Sequence, residues 1–249
     1  MAVRASLIAG AFLVVTIAGV LASADEPLPV LVEEDFEQGF DRWQTTDPEP
    51  AESVWRIEEV RGQETRAQQD QQDQESRAQQ DGNHVLRVTG TSKYQPPFRS
   101  PHSIALLKDV IVSDFVLTAR VQNTNPSAGA HRDLCIFWGY QDPAHFYYVH
   151  FGAKADPHAC QIFVVDGAAR KMITVDEADG TPWTDGWHEI KVVRRTNDGT
   201  MEVYFDDMTE PLMTARDKRF QWGQVGIGTF DDHGNFDDIV LRGKRAERR

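Results

Sequence analysis

Short apolar segments that alternate with polar residues recur along most of the chain. Turn residues, chiefly glycine and aspartate, separate them, and the Asn-Asp-Gly turn within 196–199 predicts a hairpin between two alternating strands. No long segment has helical periodicity. The predicted strands cover residues 54–60, 84–88, 115–121, 161–165, 188–193, 201–205, 224–230 and 237–241. This pattern predicts an all-β fold, with two antiparallel sheets packed as a jelly-roll sandwich.

Residues 133–150 predict another hairpin, closed by the polar turn 141–144, with Tyr140 facing His145. The ladder would also pair Trp138 with Tyr147, Phe137 with Tyr148, and Cys135 with His150. Alternation places Leu134, Ile136, Trp138, Tyr147, Val149 and Phe151 on one face. The opposite face carries Asp133, Cys135, Phe137, Phe146, Tyr148 and His150. An acid, an imidazole and a phenol beside flat rings suit a carbohydrate ligand, which is the partner that we expect.

The first two dozen residues have the pattern of a signal peptide. Arg4 precedes the apolar stretch 7–21, and the small residues Ala22-Ser23-Ala24 predict cleavage before Asp25. The alternative is a membrane anchor, which the small residues in the stretch disfavour. We therefore expect an exported protein, in the periplasm, the cell envelope or the extracellular space.

The remainder, residues 25–249, is expected to form a single domain with a low-complexity insert at 61–83. Within the insert the sequence of 64–70 returns at 75–81 with one substitution, and it is too polar to bury a face.

The formal net charge of -13 argues against attraction to nucleic acid or anionic lipid. No segment after the signal is apolar enough to span a bilayer, so we expect no stable membrane insertion once the signal is removed. The sequence leaves the oligomeric state open.

Two cysteines, Cys135 and Cys160, make a disulfide conceivable in an exported protein. The predicted ladder places them two strands apart, roughly 9 to 10 Å, which is beyond disulfide reach. Both alternatives stay open at this point. A zinc site from these cysteines and His150 would require a sharply curled sheet.

Several motifs in order resemble the concanavalin A-like lectin/glucanase jelly rolls. They are Glu34-Asp35-Phe36-Glu37 followed by Gly39 and Trp43, then residues 114–119, 187–191, 197–206 and 236–241. Within that group the chain looks most like the exported domains grouped with 3-keto-disaccharide hydrolases, described as family 16 glycoside hydrolase-like. The resemblance covers nearly the whole mature chain except the insert. It implies a curved sheet whose concave face holds carbohydrate, in a family with both enzymes and pure binders.

The resemblance implies a hydrolase of 3-keto-glycosides, whose C3 carbonyl acidifies the C2 proton so that elimination and rehydration can follow. His150 would be the base, with Tyr148 or Asp133 assisting at the leaving oxygen. The expected substrate-binding residues are Arg120, Phe137, His131 and Trp183. The alternatives are a lectin-like module without chemistry and a protein-interaction module of the cell envelope.

Acidic residues gather near both ends of the mature chain. Residues 33–37 superficially match the Glu-x-Asp-x-Glu strand of family 16 glucanases, but they lie on the first strand instead of a central one. If the first and last strands are neighbours, Asp35 and Glu37 approach Asp237 and Asp238, and such carboxylates would select a structural calcium ion. The alternative is a set of solvated turn acids. No other cofactor is predicted.

Overall fold

The computed structural model describes residues 27–60 and 82–248. The predicted signal peptide and residues 61–81 of the predicted insert lie outside the described residues. Two short 3-10 helices, Pro50–Glu52 and Pro126–His131, accompany the strands. Within the described ranges, no helix is long and apolar enough to cross a membrane. The strands are β1 Val30–Glu34, β2 Trp43–Thr45, β3 Trp55–Val60, β4 Asn83–Val88, β5 Ser103–Leu107, β6 Val112–Asn123, β7 Cys135–Asp142, β8 His145–His150, β9 Gln161–Asp166, β10 Lys171–Met172, β11 Thr174–Asp176, β12 His188–Arg194, β13 Thr200–Phe205, β14 Met213–Arg216, β15 Gln224–Thr229 and β16 Gly234–Arg245.

These strands form two antiparallel sheets that enclose one apolar core. The nine-stranded sheet runs β11-β14-β13-β12-β6-β16-β4-β3, with β1 paired to β16, and the seven-stranded sheet runs β10-β9-β8-β7-β15-β5-β2. Alternating residues of β6, such as Phe115 and Leu117, meet Ile136 and Trp138 of β7 in the shared core. The predicted all-β, two-sheet sandwich is confirmed.

Alternation located most strands but not all. The hairpin at 196–199 is confirmed, and Gly199 provides the left-handed turn residue with φ of 84°. The predicted ranges do not include β2, β5, β10, β11 and β14. The residues of β5 are buried on both faces and do not alternate, and the other four strands are only two to four residues long.

The β7–β8 hairpin has the predicted pairs Trp138 with Tyr147, Phe137 with Tyr148, and Cys135 with His150. The predicted pairing of Tyr140 with His145 is wrong. A bulge at Gly139, with φ of 56°, shifts the register so that Asp142 opposes His145. The predicted faces hold before the bulge: Ile136 and Trp138 face the other sheet, whereas Cys135 and Phe137 face outward.

Arg194, at the end of β12, ties the larger sheet to this hairpin. Its guanidinium group is only 2% exposed and donates to the carbonyl oxygens of Gly199, Asp217 and Phe220, at 2.7, 2.8 and 3.1 Å. Tyr147 of β8 donates to the carboxylate of Asp217 at 2.6 Å. The buried charge of Arg194 is tolerated because three carbonyl oxygens accept hydrogen bonds from its guanidinium group.

Asp237 is a buried carboxylate on the outward side of β16. It accepts hydrogen bonds from Asn83 Nδ2 at 2.9 Å and from the Asp238 backbone at 2.8 Å. Burial raises the pKa of Asp237 to about 6, and the negative charge of Asp238 also raises it. The hydrogen bond from Asn83 lowers this pKa but does not outweigh burial.

We predict that Arg194→Met lowers the free energy of unfolding by about 3 kcal/mol, because the three carbonyl oxygens lose a shared donor inside the protein. Urea denaturation measures the change. Arg195→Met is the matched control, since Arg195 is exposed and pairs only at the surface with Glu202. A loss of equal size in both variants would contradict the anchoring role of Arg194.

We predict that Asp237→Asn stabilises the protein at neutral pH. The folded protein holds this proton to a higher pH than the unfolded chain, so the contribution of Asp237 to stability is lost as pH rises through about 6. The stability gain of the variant should grow from near zero at about pH 3 to about 3 kcal/mol above about pH 7. Thermal unfolding across this pH range checks it, and a pH-independent difference would disprove it.

Candidate functional site

The outer face of the β7–β8 hairpin is an aromatic layer. Phe137 and Tyr148 stack at 5.6 Å between ring centroids, and Tyr148 stacks on Phe163 of β9 at 5.1 Å. Phe98 packs against this layer. All three stacked rings are almost fully buried, so the chain itself covers the middle of the predicted carbohydrate face.

Asp133 and His150 lie together at one end of this layer. The Oδ1 atom of Asp133 accepts hydrogen bonds from Thr229 Oγ1 at 2.7 Å and from the Phe230 backbone at 3.0 Å. Its Oδ2 atom is 3.3 Å from His150 Nε2. Burial alone raises the pKa of Asp133, but the facing imidazole and these two hydrogen bonds outweigh burial and lower the pKa below its ordinary value.

Both nitrogens of His150 point into the protein. Nδ1 donates to the carbonyl oxygen of His158 at 2.9 Å, and Nε2 faces Asp133 without the alignment of a hydrogen bond. The side chain of Cys135, which pairs with His150 across the ladder, completes the group. We call Asp133, Cys135 and His150 the buried trio. His150 is 7% exposed and Asp133 is 2% exposed, so a sugar at the surface does not reach them directly.

Arg170 covers the trio's end of the aromatic layer from the turn between β9 and β10. Its guanidinium carbon lies 4.8 Å from the ring centroid of Phe163 and 4.6 Å from that of Phe230. It donates to the hydroxyl of Tyr148 at 2.9 Å, while its Nε has no hydrogen-bond partner. Burial raises the pKa of Tyr148, which therefore stays a neutral phenol. Arg170 makes no ion pair with any carboxylate in the described part of the chain.

Two further side chains lie close to Phe230, one in ring contact with it and one next to it in the sequence. His102 sets its ring edge against Phe230, with centroids 5.5 Å apart, and is half-buried. Asp231 is exposed; partial burial and the negative charges of Asp133 and Asp232 raise its pKa. We call His102, Arg170, Phe230 and Asp231 the outer-face site.

The predicted substrate-binding residues do not all converge. Phe137 and the trio share one face, but Arg120 lies on β6 of the other sheet, so the expectation that it joins Asp133 and His150 is corrected. Arg120 pairs there with Asp238 at 3.3 Å and lies over the ring of Trp187 at 5.0 Å. Arg120 alternates with the buried residues Ala119 and Val121 of β6, but alternation does not say to which sheet a strand belongs.

Trp183 and His131 also lie apart from the hairpin's outer face. The Trp183 indole donates to the carbonyl oxygen of Phe151 at 2.7 Å and meets Phe205 edge-on at 4.9 Å, so it packs against the core. His131 is exposed at the end of the second 3-10 helix. Their predicted roles in substrate binding stay predictions.

The four predicted calcium ligands sit near one another in the fold, because β1 does pair with β16. Glu37 is engaged by His84, whose Nδ1 lies 2.7 Å from Oε2, and Asp237 is engaged by Asn83. No three of the four place ligand atoms within 4.8 Å of one another. A shallow groove of about 190 Å³ runs beside Asp35 and Asp238. Calcium binding stays a prediction.

The two cysteines are both free and buried. Cys135 faces the outer aromatic layer, whereas Cys160 packs in the core between the sheets, where its Sγ lies 3.6 Å from Thr181 Oγ1. The two thiols therefore lie on opposite faces of the sheet. This placement excludes a disulfide in this fold and removes Cys160 from the zinc group considered with His150.

The sequence pattern did not predict His102, Arg170 and Phe230 as site residues. Arg170 lies in a polar turn without periodicity, and His102 precedes the non-alternating strand β5, so neither carried a local signal. Asp231 lies in the turn between β15 and β16, where an acidic residue is no local sign of a site.

No family model and no curated protein matches this chain. Among solved structures, the cellulose induced protein Cip1 is similar with a TM-score of 0.52 and 15% identity, over 86% of this chain and 98% of that one. The carbohydrate binding module CBM66 from Bacillus subtilis has a TM-score of 0.48 and 14% identity, over 77% and 96%. Winged bean acidic lectin, complexed with methyl-alpha-D-galactose, has a TM-score of 0.43 and 11% identity, over 82% and 100%. At these identities the likeness bears on the fold alone, and of these three structures only Cip1 has a TM-score above 0.5: the chain has the two-sheet jelly-roll fold.

Proposed function

We propose that this protein binds carbohydrate at the outer-face site. The observation that carries the proposal is Arg170, a half-buried guanidinium group fixed between two phenylalanine rings and without a carboxylate partner among residues 27–60 and 82–248. A fixed donor of this kind, beside an aromatic edge and an exposed acceptor, suits the hydroxyl groups or the carboxylate of a sugar. Asp231 is the acceptor, and His102 adds an imidazole ring at the rim.

Binding is better supported than catalysis by His150. A general base needs a ring nitrogen within hydrogen-bond reach of the substrate proton. Nδ1 of His150 is occupied by the His158 carbonyl oxygen and Nε2 faces Asp133. Tyr148 is likewise buried, and its hydroxyl accepts from Arg170. The trio and Tyr148 therefore support the site from beneath.

Hydrolysis of 3-keto-glycosides at the same surface is the second candidate, and Asp231 is the residue that favours it. Its carboxylate is exposed, and its pKa is raised by partial burial and by the charges of Asp133 and Asp232, which makes it a stronger base than an ordinary carboxylate. In such a reaction Asp231 would take the C2 proton, the glycosidic oxygen would leave as an alcohol after protonation, and water would then add across the new double bond.

We predict that Arg170→Met weakens glycan binding by at least about 10-fold, the effect of one lost charge-assisted hydrogen bond. A glycan array printed with neutral and uronic-acid oligosaccharides identifies the ligand, and calorimetry with the best glycan measures the loss. Arg170→Lys should retain part of the affinity because it keeps the charge.

Arg120→Met is the matched control, because Arg120 also lies over an aromatic ring but on the opposite sheet. It should bind like the wild type. Loss of binding in Arg120→Met alone would move the site to the larger sheet. A wild-type protein that retains no glycan on the array would contradict the proposal and favour the protein-interaction module.

For the hydrolase candidate, incubation with 3-keto-glucosides and with ordinary disaccharides should release free sugar only from the keto substrates. Asp231→Asn should reduce that turnover by about 100-fold or more. The wild-type rate should rise with pH through the raised pKa of Asp231, since a base acts when deprotonated. Glycan binding without any turnover would remove this candidate and leave the binding module.

A further inference from the structure

We propose that the buried trio is a binding site for a zinc-like divalent transition-metal ion. Ligand atoms of Asp133, Cys135 and His150 all lie within 4.8 Å of one another. This is the one group of three or more histidine, cysteine or acidic residues at that spacing in the described ranges. The three side chains come together because Cys135 and His150 are ladder partners, and because Asp133 lies two residues before Cys135, the first residue of β7.

The spacing is close to that of a tetrahedral metal centre. Bonds of about 2.0 to 2.3 Å to zinc place neighbouring ligand atoms roughly 3.3 to 3.8 Å apart. The distance between His150 Nε2 and Asp133 Oδ2 is 3.3 Å, within that range. The Cys135 sulfur lies within 4.8 Å of the other two ligand atoms.

The imidazole of His150 is held in the orientation that a metal ligand needs. Nδ1 donates to the His158 carbonyl oxygen, which in the neutral ring leaves the lone pair on Nε2. That Nε2 is buried, has no hydrogen-bond partner and points into the trio. A backbone carbonyl behind a ligating histidine is the usual outer support of such a site.

Asp133 is supported in the same way. Thr229 Oγ1 and the Phe230 backbone both bind its Oδ1 atom, which fixes the carboxylate and leaves Oδ2 directed at His150. A sulfur, an imidazole and one carboxylate oxygen form a ligand set that favours zinc or cobalt over calcium or magnesium. Three protein ligands leave a fourth position for water, and the exposed acid Asp231 lies on the adjacent surface.

The competing explanation is a plain ion pair between a protonated His150 and Asp133. In that case the trio has no affinity for metal, and Cys135 only fills space. The two explanations differ in whether the thiol takes part.

The test uses the whole protein, treated with a chelator and then titrated with Zn²⁺ and, separately, with Co²⁺. We expect one ion per chain and an absorption band for charge transfer from thiolate to Co²⁺. Cys160→Ser is the matched control: it removes the other buried thiol, on the opposite face, and should keep both the stoichiometry and the band. Because Cys135 is then the sole thiol, the band assigns it as a ligand without removing any ligand.

Cys135→Ser and His150→Gln should each weaken Zn²⁺ binding by about 100-fold or more and abolish or shift the band, since even outer-shell losses cost 10- to 100-fold. Circular dichroism checks that both variants fold. Absence of Zn²⁺ uptake by the wild type overturns the proposal in favour of the ion pair. So does Co²⁺ binding without a thiolate band, or binding that Cys135→Ser leaves unchanged.

Discussion

The β7–β8 hairpin is buried on both faces, and this burial determines how the surrounding strands and loops must pack and pair their polar groups. Trp138 and Tyr147 pack inward against the larger sheet, while Phe137 and Tyr148 are covered from outside by the chain's own loops. A sheet with one wet face tolerates polar side chains on that face, but a sheet that is dry on both does not. Polar groups at the ends of this hairpin therefore need partners within the protein, and the Nε2 atom of His150 is one that is left without a hydrogen bond among the described residues.

The ends of the hairpin show how that requirement is met. A buried carboxylate and imidazole cost several kcal/mol to remove from water unless both are paired and hydrogen-bonded. Thr229 and Phe230 bind Asp133, and the His158 carbonyl oxygen binds His150. The same contacts that make burial affordable also fix the orientation of both side chains, and rigid supporting contacts are what a binding site requires.

Two arginines illustrate how satisfied and unsatisfied cations divide between structure and function. Arg194 donates its guanidinium hydrogens to three carbonyl oxygens, and so joins the turn after β12 to the segment that holds Tyr147 of β8. Arg170 meets two rings and the hydroxyl of Tyr148, and it keeps donor capacity that no carboxylate takes up. Donor capacity of this kind, held rigidly at a surface, is available to a ligand. The proposed role of Arg170 in binding therefore depends on its fixed position as well as on its charge.

Alternation along the sequence predicts the strand class, most strand positions, the register of the hairpin up to Gly139 and the face on which Asp133 and His150 lie, because side-chain direction alternates with period two. Tertiary packing sets which sheet each strand joins, which separates Arg120 from His150, and it turns Cys160 to the face opposite Cys135. It also brought Arg170 from a turn over the aromatic layer. Local periodicity encodes which face a side chain takes, whereas contacts between distant segments depend on the packing of the whole chain.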